Sequence, residues 1–338
     1  MSKAILKGNA SGTGSVTLES PNTNSDRTIS LPDAEGTLAF TNQLGMRNRI
    51  INGAMQIWQR GTSITTSGGY TADRWTQVSG NSIAHTQSTD APTGFTSSLQ
   101  MVGTGSNICQ RIESVNCIGL GSETITISLW YKNSSGSDSL SLALYYCNTA
   151  DSFGSVTQIG TNQTLSASPS SSWTKYTVTF TNISANAVNG LALYIFRGSS
   201  ATATGLLTGV QLEVGSSATG FEYRQFTNEL ALCQRYYTKS YDLNVIPYNG
   251  VNTNVGAISF YSTNGNGFWG NPFKVTMRTT PTVTTYSYQG NSGLVGGASN
   301  AALTAVTYQQ GMSGFNVYAS GNSSAGDFYC NYTATAEL

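Results

Sequence analysis

The stretch GVQLEVGSSATGFEYRQFTNELALCQRYY, residues 209–237, decides how the rest of the chain is read. Val210, Leu212 and Val214 alternate with Gln211 and Glu213, the two-residue period of a half-buried strand. Gly215, Ser216 and Ser217 then supply a turn. Beyond it Thr227 or Asn228 offers an N-cap, and Leu230, Cys233 and Tyr237 recur at helical spacing behind Phe226. A strand therefore leads into a helix in a chain that otherwise reads as strand and turn. A lone helix among strands lays an apolar stripe on a sheet or docks two units, so this stretch is expected to be an architectural joint.

Upstream, Ile125, Ile127 and Leu129 alternate with polar residues, then Leu140, Leu142 and Leu144, then Tyr176, Val178 and Phe180, then Leu191, Leu193 and Ile195. Spacers rich in Ser, Gly and Asn part them, which predicts an antiparallel sandwich or barrel over residues 46–225. The helix is expected over 226–240. Residues 241–338 form a last β-domain, with strands expected at 257–261, 273–277 (FKVTM), 283–288, 306–308, 315–318 and 327–332. Residues 1–45 hold three short strands around Val16 and Leu18, Ile29 and Leu31, and Leu38 and Phe40, parted by Pro-rich turns. They carry too few apolar residues to bury a core alone. Either three chains wrap together and share one, or the segment is a hairpin arm lying on the next domain.

Of the 338 residues only 9% are charged, against roughly 25% in ordinary soluble domains. With 10% aromatic residues the chain is not disordered; low charge points to tight and oligomeric β-structure. Sixteen basic and sixteen acidic residues balance, and the densest basic run is Arg47 with Arg49, so the basic face of a nucleic-acid binder is missing. No apolar run approaches the roughly 20 residues of a spanning helix, and MSKAILKGNASG lacks a signal-peptide core. Residence in the cytosol, or release by a route such as lysis, is expected. Five cysteines at wide spacing, Cys109, Cys117, Cys147, Cys233 and Cys330, argue for free buried thiols rather than a disulfide framework. Asn-x-Ser/Thr triplets are chance in an Asn- and Ser-rich chain.

Three segments resemble one family. The run LEVGSSATGFEYRQFTNELALCQRYY is similar to the segment that closes the jelly-roll domain of many phage tail-fibre and related virion proteins. RIINGAMQIWQRG (residues 49–61) with YTADRW (70–75) resembles the opening of that domain, and residues 14–40 resemble a β-prism repeat of trimeric phage fibres. The strand pattern ISLWYKNSSG, SSWTKYTVTF and LLTGVQLEVG is similar to carbohydrate-binding modules of jelly-roll type. The ordered trio covers the first two thirds of the chain. It implies an all-β fold: an intertwined β-prism-like segment (1–45) for virion attachment and trimerisation, a jelly-roll sandwich (46–225), one connecting helix (226–240), and a C-terminal β-domain (241–338) serving as receptor-binding tip.

No catalytic constellation emerges. His85 is the sole histidine, which leaves no triad or multi-histidine metal site. Glu113 with Glu123, or Asp73 with Glu222, could form a glycosidase pair only at about 5–9.5 Å separation, and sixteen carboxylates always offer suggestive pairs. Asp73-Arg74-Trp75 and Phe221-Glu222-Tyr223-Arg224 each set a carboxylate near an arginine, so Asp73, Arg74, Glu222 and Arg224 are expected to make structural ion pairs. No cofactor is expected; a structural calcium would follow from jelly-roll analogy, without an Asp-x-Asp loop to hold it. Aromatics are the recognition candidates: Phe268 and Trp269 beside the Asn-Gly loop, and Tyr261, Tyr288, Tyr308 and Tyr318. Such rings stack on sugar faces while Asn, Ser and Thr satisfy hydroxyls. The expectation is a homotrimeric virion appendage that contacts other virion proteins through its N-terminus and host-surface polysaccharide through its distal end. A purely structural virion protein and a polysaccharide depolymerase are the alternatives.

Overall fold

The computed structural model describes residues 46–78, 84–103, 105–133, 139–165, 172–198, 204–247, 256–262, 269–297, 302–320 and 326–338. The strands expected in residues 1–45, and Phe268, lie outside the described residues.

Among the described residues the fold is all-β with one short α-helix. The first eleven strands are β1 (Ser63–Ile64), β2 (Thr76–Gln77), β3 (His85–Ser88), β4 (Ser98–Val102), β5 (Ile108–Ile112), β6 (Ile125–Asn133), β7 (Ser139–Cys147), β8 (Val156–Leu165), β9 (Thr174–Phe180), β10 (Leu191–Gly198) and β11 (Thr204–Val214). They make two antiparallel sheets, ordered β1-β3-β4-β11-β6-β9 and β2-β5-β10-β7-β8. Most consecutive strands change sheet, which gives the sandwich its jelly-roll character. The alternation seen in the sequence is the reason. Leu191, Leu193 and Ile195 of β10 and Leu140, Leu142 and Leu144 of β7 point inward, onto Ile125, Ile127 and Leu129 of β6. Nearly all of these side chains are fully buried.

β11 bends where its register shifts between Thr208 and Gln211. Gly209 takes φ +63 at the bend, and a Cβ there would meet the Phe95 and Trp130 rings at 2.7 and 2.8 Å. Below the bend β11 pairs with β4; above it, residues 48–53 take over. The Val210 N–H donates to the Gly53 carbonyl at 3.0 Å, and the Arg49 N–H to the Leu212 carbonyl at 2.9 Å. A Cβ on Gly53 would lie 2.1 Å from the Val210 oxygen, so only glycine allows this approach.

The helix, α1, spans Phe226–Gln234, shorter than the 226–240 read from the sequence. Its N-cap is Gln225, which makes no side-chain capping bond; Thr227 and Asn228 lie inside the first turn. Cys233 is buried with Ile51, Ile57 and Tyr236. Tyr237 is not on the helix: β12 (Tyr237–Lys239) begins there and pairs with the last strand.

The remaining strands are β13 (Ile258–Ser262), β14 (Trp269–Pro272), β15 (Thr282–Tyr286), β16 (Leu294–Gly297), β17 (Ala302–Gly311), β18 (Gly314–Ser320) and β19 (Gly326–Thr335). The long β19 pairs with β12, β13, β15 and β16, and the order continues through β17 and β18 to β14. Residues 273–277 are not the strand their sequence predicts. The ladder stops at Pro272, and Phe273 and Met277 instead plug the second core beside Phe315 and Val317. Their amides donate to the Ser313 and Met312 carbonyls at 2.9 and 2.8 Å. All five cysteines are free and buried.

Candidate binding site

Residues 49–75 and 209–237 converge on one buried polar network. Asn52 lies at its centre with φ 56 and almost no exposure. Its amide Nδ2 donates to the Ile57 and Asp73 carbonyls at 2.9 and 3.1 Å. Its Oδ1 accepts the Gln56 and Ile57 N–H groups at 2.9 and 3.0 Å. Its own N–H donates to the Glu229 carboxylate, and its carbonyl accepts Trp75 Nε1 at 3.1 Å. Every polar group of this buried residue is matched, as burial requires.

Asp73 and Arg74 each take other partners. Asp73 accepts the Gln59 N–H at 2.9 Å and Gln59 Nε2 at 2.5 Å, with Arg60 Nη1 at 3.9 Å. Burial pushes its carboxyl above the usual range, against the opposing pull of Arg60. Arg74 reaches the Glu337 carboxylate and the Arg111 carbonyl, and its guanidinium lies 3.5 Å over the Tyr236 ring. Glu222 accepts the Asn48 N–H at 2.7 Å. Arg224 pairs with Glu229 at 3.2 Å and donates to the Ile50 carbonyl at 3.0 Å. Both motifs therefore hold the same segment, residues 48–59. Glu113, a carboxylate that could suggest catalysis, is engaged by Arg235 Nε at 3.0 Å. Among the described residues no group of three or more His, Cys, Asp or Glu side chains could hold a metal ion.

The aromatics chosen from the sequence scatter. Tyr308 and Tyr318 come together across β17 and β18, edge to face with centroids 5.7 Å apart. Tyr261 is 59% exposed on β13, which pairs with β19 rather than with β17 or β18. Tyr288 follows β15 and accepts from Gln289 Nε2 at 3.0 Å. Trp269 opens β14 opposite Val317.

A better-built aromatic surface lies on the sandwich. The outward residues of β10 are Ala192, Tyr194 and Phe196; those of β7 are Ser141, Ala143 and Tyr145. Tyr194 stacks with Phe196 at 5.8 Å, and Tyr145 meets Tyr194 edge-on at 5.1 Å. All three rings are half-buried, and Ala143 and Ala192 between them are covered. Around the rings, Tyr145 Oη donates to Gln158 Oε1 at 3.3 Å, Gln158 Nε2 to Asn162 Oδ1 at 2.7 Å, and Ser141 meets Thr164 at 3.1 Å. Burial and the neighbouring Cys109 raise the Tyr194 phenol above its usual range, so it is a neutral donor at physiological pH. The sequence does carry the signal. LALYIF is apolar on both faces, where a strand with one watered face alternates with polar residues. Only the inward half of that pattern is counted when the core is sought.

No family model matches the sequence, and no curated protein matches it. Solved structures similar to it include the enzymatically active domain of tailspike protein 4 of bacteriophage CBA120. That match has 14% identity and a TM-score of 0.36, and covers 50% of this chain but only 21% of the tailspike chain. Others are the CBM22-1 xylan-binding domain of Paenibacillus barcinonensis Xyn10C (18%, TM-score 0.31, 47% of this chain and 99% of that one) and TmCBM61 with β-1,4-galactotriose (12%, 0.31, 50% and 99%).

Proposed function

We propose that the protein is a non-catalytic, glycan-binding appendage of a bacteriophage particle. The observation that carries the binding role is the Tyr145–Tyr194–Phe196 platform on the outer face of the β2-β5-β10-β7-β8 sheet. A cluster of three rings at neighbouring strand positions offers apolar surface to pyranose faces, and the Gln158, Ser141 and Thr164 side chains suit their hydroxyls. The virion role rests on the three ordered segments that resemble phage fibre proteins. Residues 1–45 would attach to the particle and trimerise the chain.

The test is a glycan array of bacterial surface polysaccharides probed with the full chain. Tyr194→Ala and Phe196→Ala should each weaken a positive signal about tenfold or more, the usual cost of removing a central aromatic anchor. A signal indifferent to both changes refutes the platform. No signal with any polysaccharide favours the purely structural virion role, and new reducing ends in a polysaccharide incubation favour a depolymerase. Light scattering of the full chain should give three times the monomer mass; a monomer removes the fibre reading. A second reading keeps recognition in residues 241–338, favoured by the Tyr308–Tyr318 pair and the exposed Tyr261. Tyr308→Ala with Tyr261→Ala then abolishes the signal while Tyr194→Ala spares it.

A further inference from the structure

A cleft of about 420 Å³ opens where the sandwich meets the β12-β19-β15 sheet. Its floor is one face of that sheet. Tyr237 and Thr335 are direct cross-strand partners, as are Thr284 and Thr333. Tyr286 continues the β15 row, and its hydroxyl lies 3.4 Å from Thr333 Oγ1. The residues between, such as Val283, Tyr332 and Ala334, face the opposite way into the second core. This strand period thus leaves a floor of hydroxyls and phenol rings rather than aliphatic groups. Ile64, Thr66, Tyr70, Ile246 and Pro247 complete the lining.

The lining is held in place before any ligand arrives. Arg60 lies between two rings, 4.6 Å from the centre of Tyr70 and 3.7 Å from that of Tyr237, and its Nη2 is fixed to Glu337 at 2.9 Å. Stacked between rings, with Glu337 (shared with Arg74) on one side and Asp73 Oδ1 3.9 Å from its Nη1, its charge asks for no anion from the cleft. The volume falls in the range of small-molecule sites, about 300–1,000 Å³. Half-buried Tyr70 over a floor that includes the buried Tyr237 and Tyr286, four threonines that both donate and accept, and a charge already met by carboxylates fit a ligand that is uncharged, hydroxyl-rich and partly apolar. We propose that this cleft is a second binding site, for a neutral saccharide of one or two pyranose units. It is separate from the aromatic face of the sandwich and does not depend on it.

The test uses the full chain with threonine methyl groups labelled for NMR. The probes are D-glucose, D-galactose, N-acetyl-D-glucosamine and their β-linked dimers. At least one probe should shift the Thr284, Thr333 and Thr335 methyl signals in a saturable titration. Thr66→Trp, an exposed wall position, should weaken that binding at least tenfold. If Thr66→Trp fails to fold, Thr335→Trp, exposed on the floor, serves in its place. Tyr194→Ala should leave the titration unchanged. The proposal is overturned if no probe shifts these methyls, if the shifts persist with the cleft filled, or if they vanish in Tyr194→Ala alone.

Discussion

Lowering the pH should unfold this protein partly through one residue, His85. It opens β3 between Ile64 of β1 and Met101 of β4, with no exposed surface. Neither ring nitrogen has a hydrogen-bond partner among the described residues. Burial, helped by the charge of Arg197, holds its pKa down to about 4, from an ordinary 6.5. Between those values the unfolded chain binds a proton that the folded chain does not, so stability falls as the pH falls. The slope over that interval is about 1.4 kcal/mol per pH unit, so this residue alone removes about 2 kcal/mol by pH 5 and about 3 kcal/mol by pH 4, relative to pH 7. Below about pH 4 the folded form is protonated as well and the loss levels off. Urea unfolding followed by tryptophan fluorescence, for the wild type and His85→Leu at pH 7, 6, 5 and 4, isolates the effect, because all other titrations cancel in the difference. The stability of His85→Leu relative to the wild type should rise by about 2 kcal/mol from pH 7 to 5. A difference that stays flat across this range would show that His85 is not held neutral, and the account of its pocket would fail.

Asn52→Ala removes the side chain that satisfies two carbonyls and two N–H groups in the buried network, and leaves alanine at φ 56. It should cost roughly 3 kcal/mol or more, read as a lower urea midpoint. Glu337→Gln leaves Arg74, 1% exposed, and Arg60 without their shared carboxylate. Breaking a buried pair from one side costs about 3–5 kcal/mol, so thermal unfolding should begin well below the wild-type temperature, with the C-terminal sheet losing amide protection first. The thiols of Cys109, Cys117 and Cys330 are pushed up to about 12 by burial. At pH 8 the native protein should resist thiol reagents and the urea-unfolded chain should react at all five cysteines; rapid labelling of the native chain would contradict the buried placement.

Strand alternation made the sandwich legible, because Leu191, Leu193 and Ile195 or Ile125, Ile127 and Leu129 have no other way to share one face. The helix was legible in kind but not in extent. Tyr237 stands at helical spacing from Cys233, yet β19 offers its unpaired edge there, and ladder hydrogen bonds to Thr335 outweigh one more turn. Residues 273–277 misled for the same reason in reverse: their β-like pattern meets Pro272, which ends the ladder, and two buried side chains that anchor an irregular segment. The ion-pair motifs showed which residues need partners but not which ones. Arg74 and Glu337 are 263 positions apart, and no local rule joins them. The aromatic face of the sandwich was in plain view as Tyr194 and Phe196 but hidden by its own apolarity, since a search for core residues absorbs every aromatic on a strand.

The segments at residues 49–75 and 209–237 therefore encode a joint, and its chemistry holds them to one another. Residues 48–53 lie against β11 at its glycine bend, and the backbone groups of residues 48–59 are met by Asn48, Asn52, Asp73, Gln110, Glu222 and Arg224 and, from α1, by Glu229. A change in any one of these residues strands a buried polar group in the others, so each segment fixes the placement of the others. The same joint ties the sandwich to the C-terminal sheet. Gln59 Nε2 donates to the Tyr237 carbonyl at 2.9 Å, and Arg60 and Arg74 both reach Glu337. Deleting residues 242–338 would strip β12 of its partner β19 and leave Arg74 buried without its carboxylate. Loss of function in such a deletion could not be assigned to a missing receptor site. Point substitutions on the Tyr194 face and in the Thr66 cleft leave the joint intact, and they separate recognition from architecture where truncation cannot.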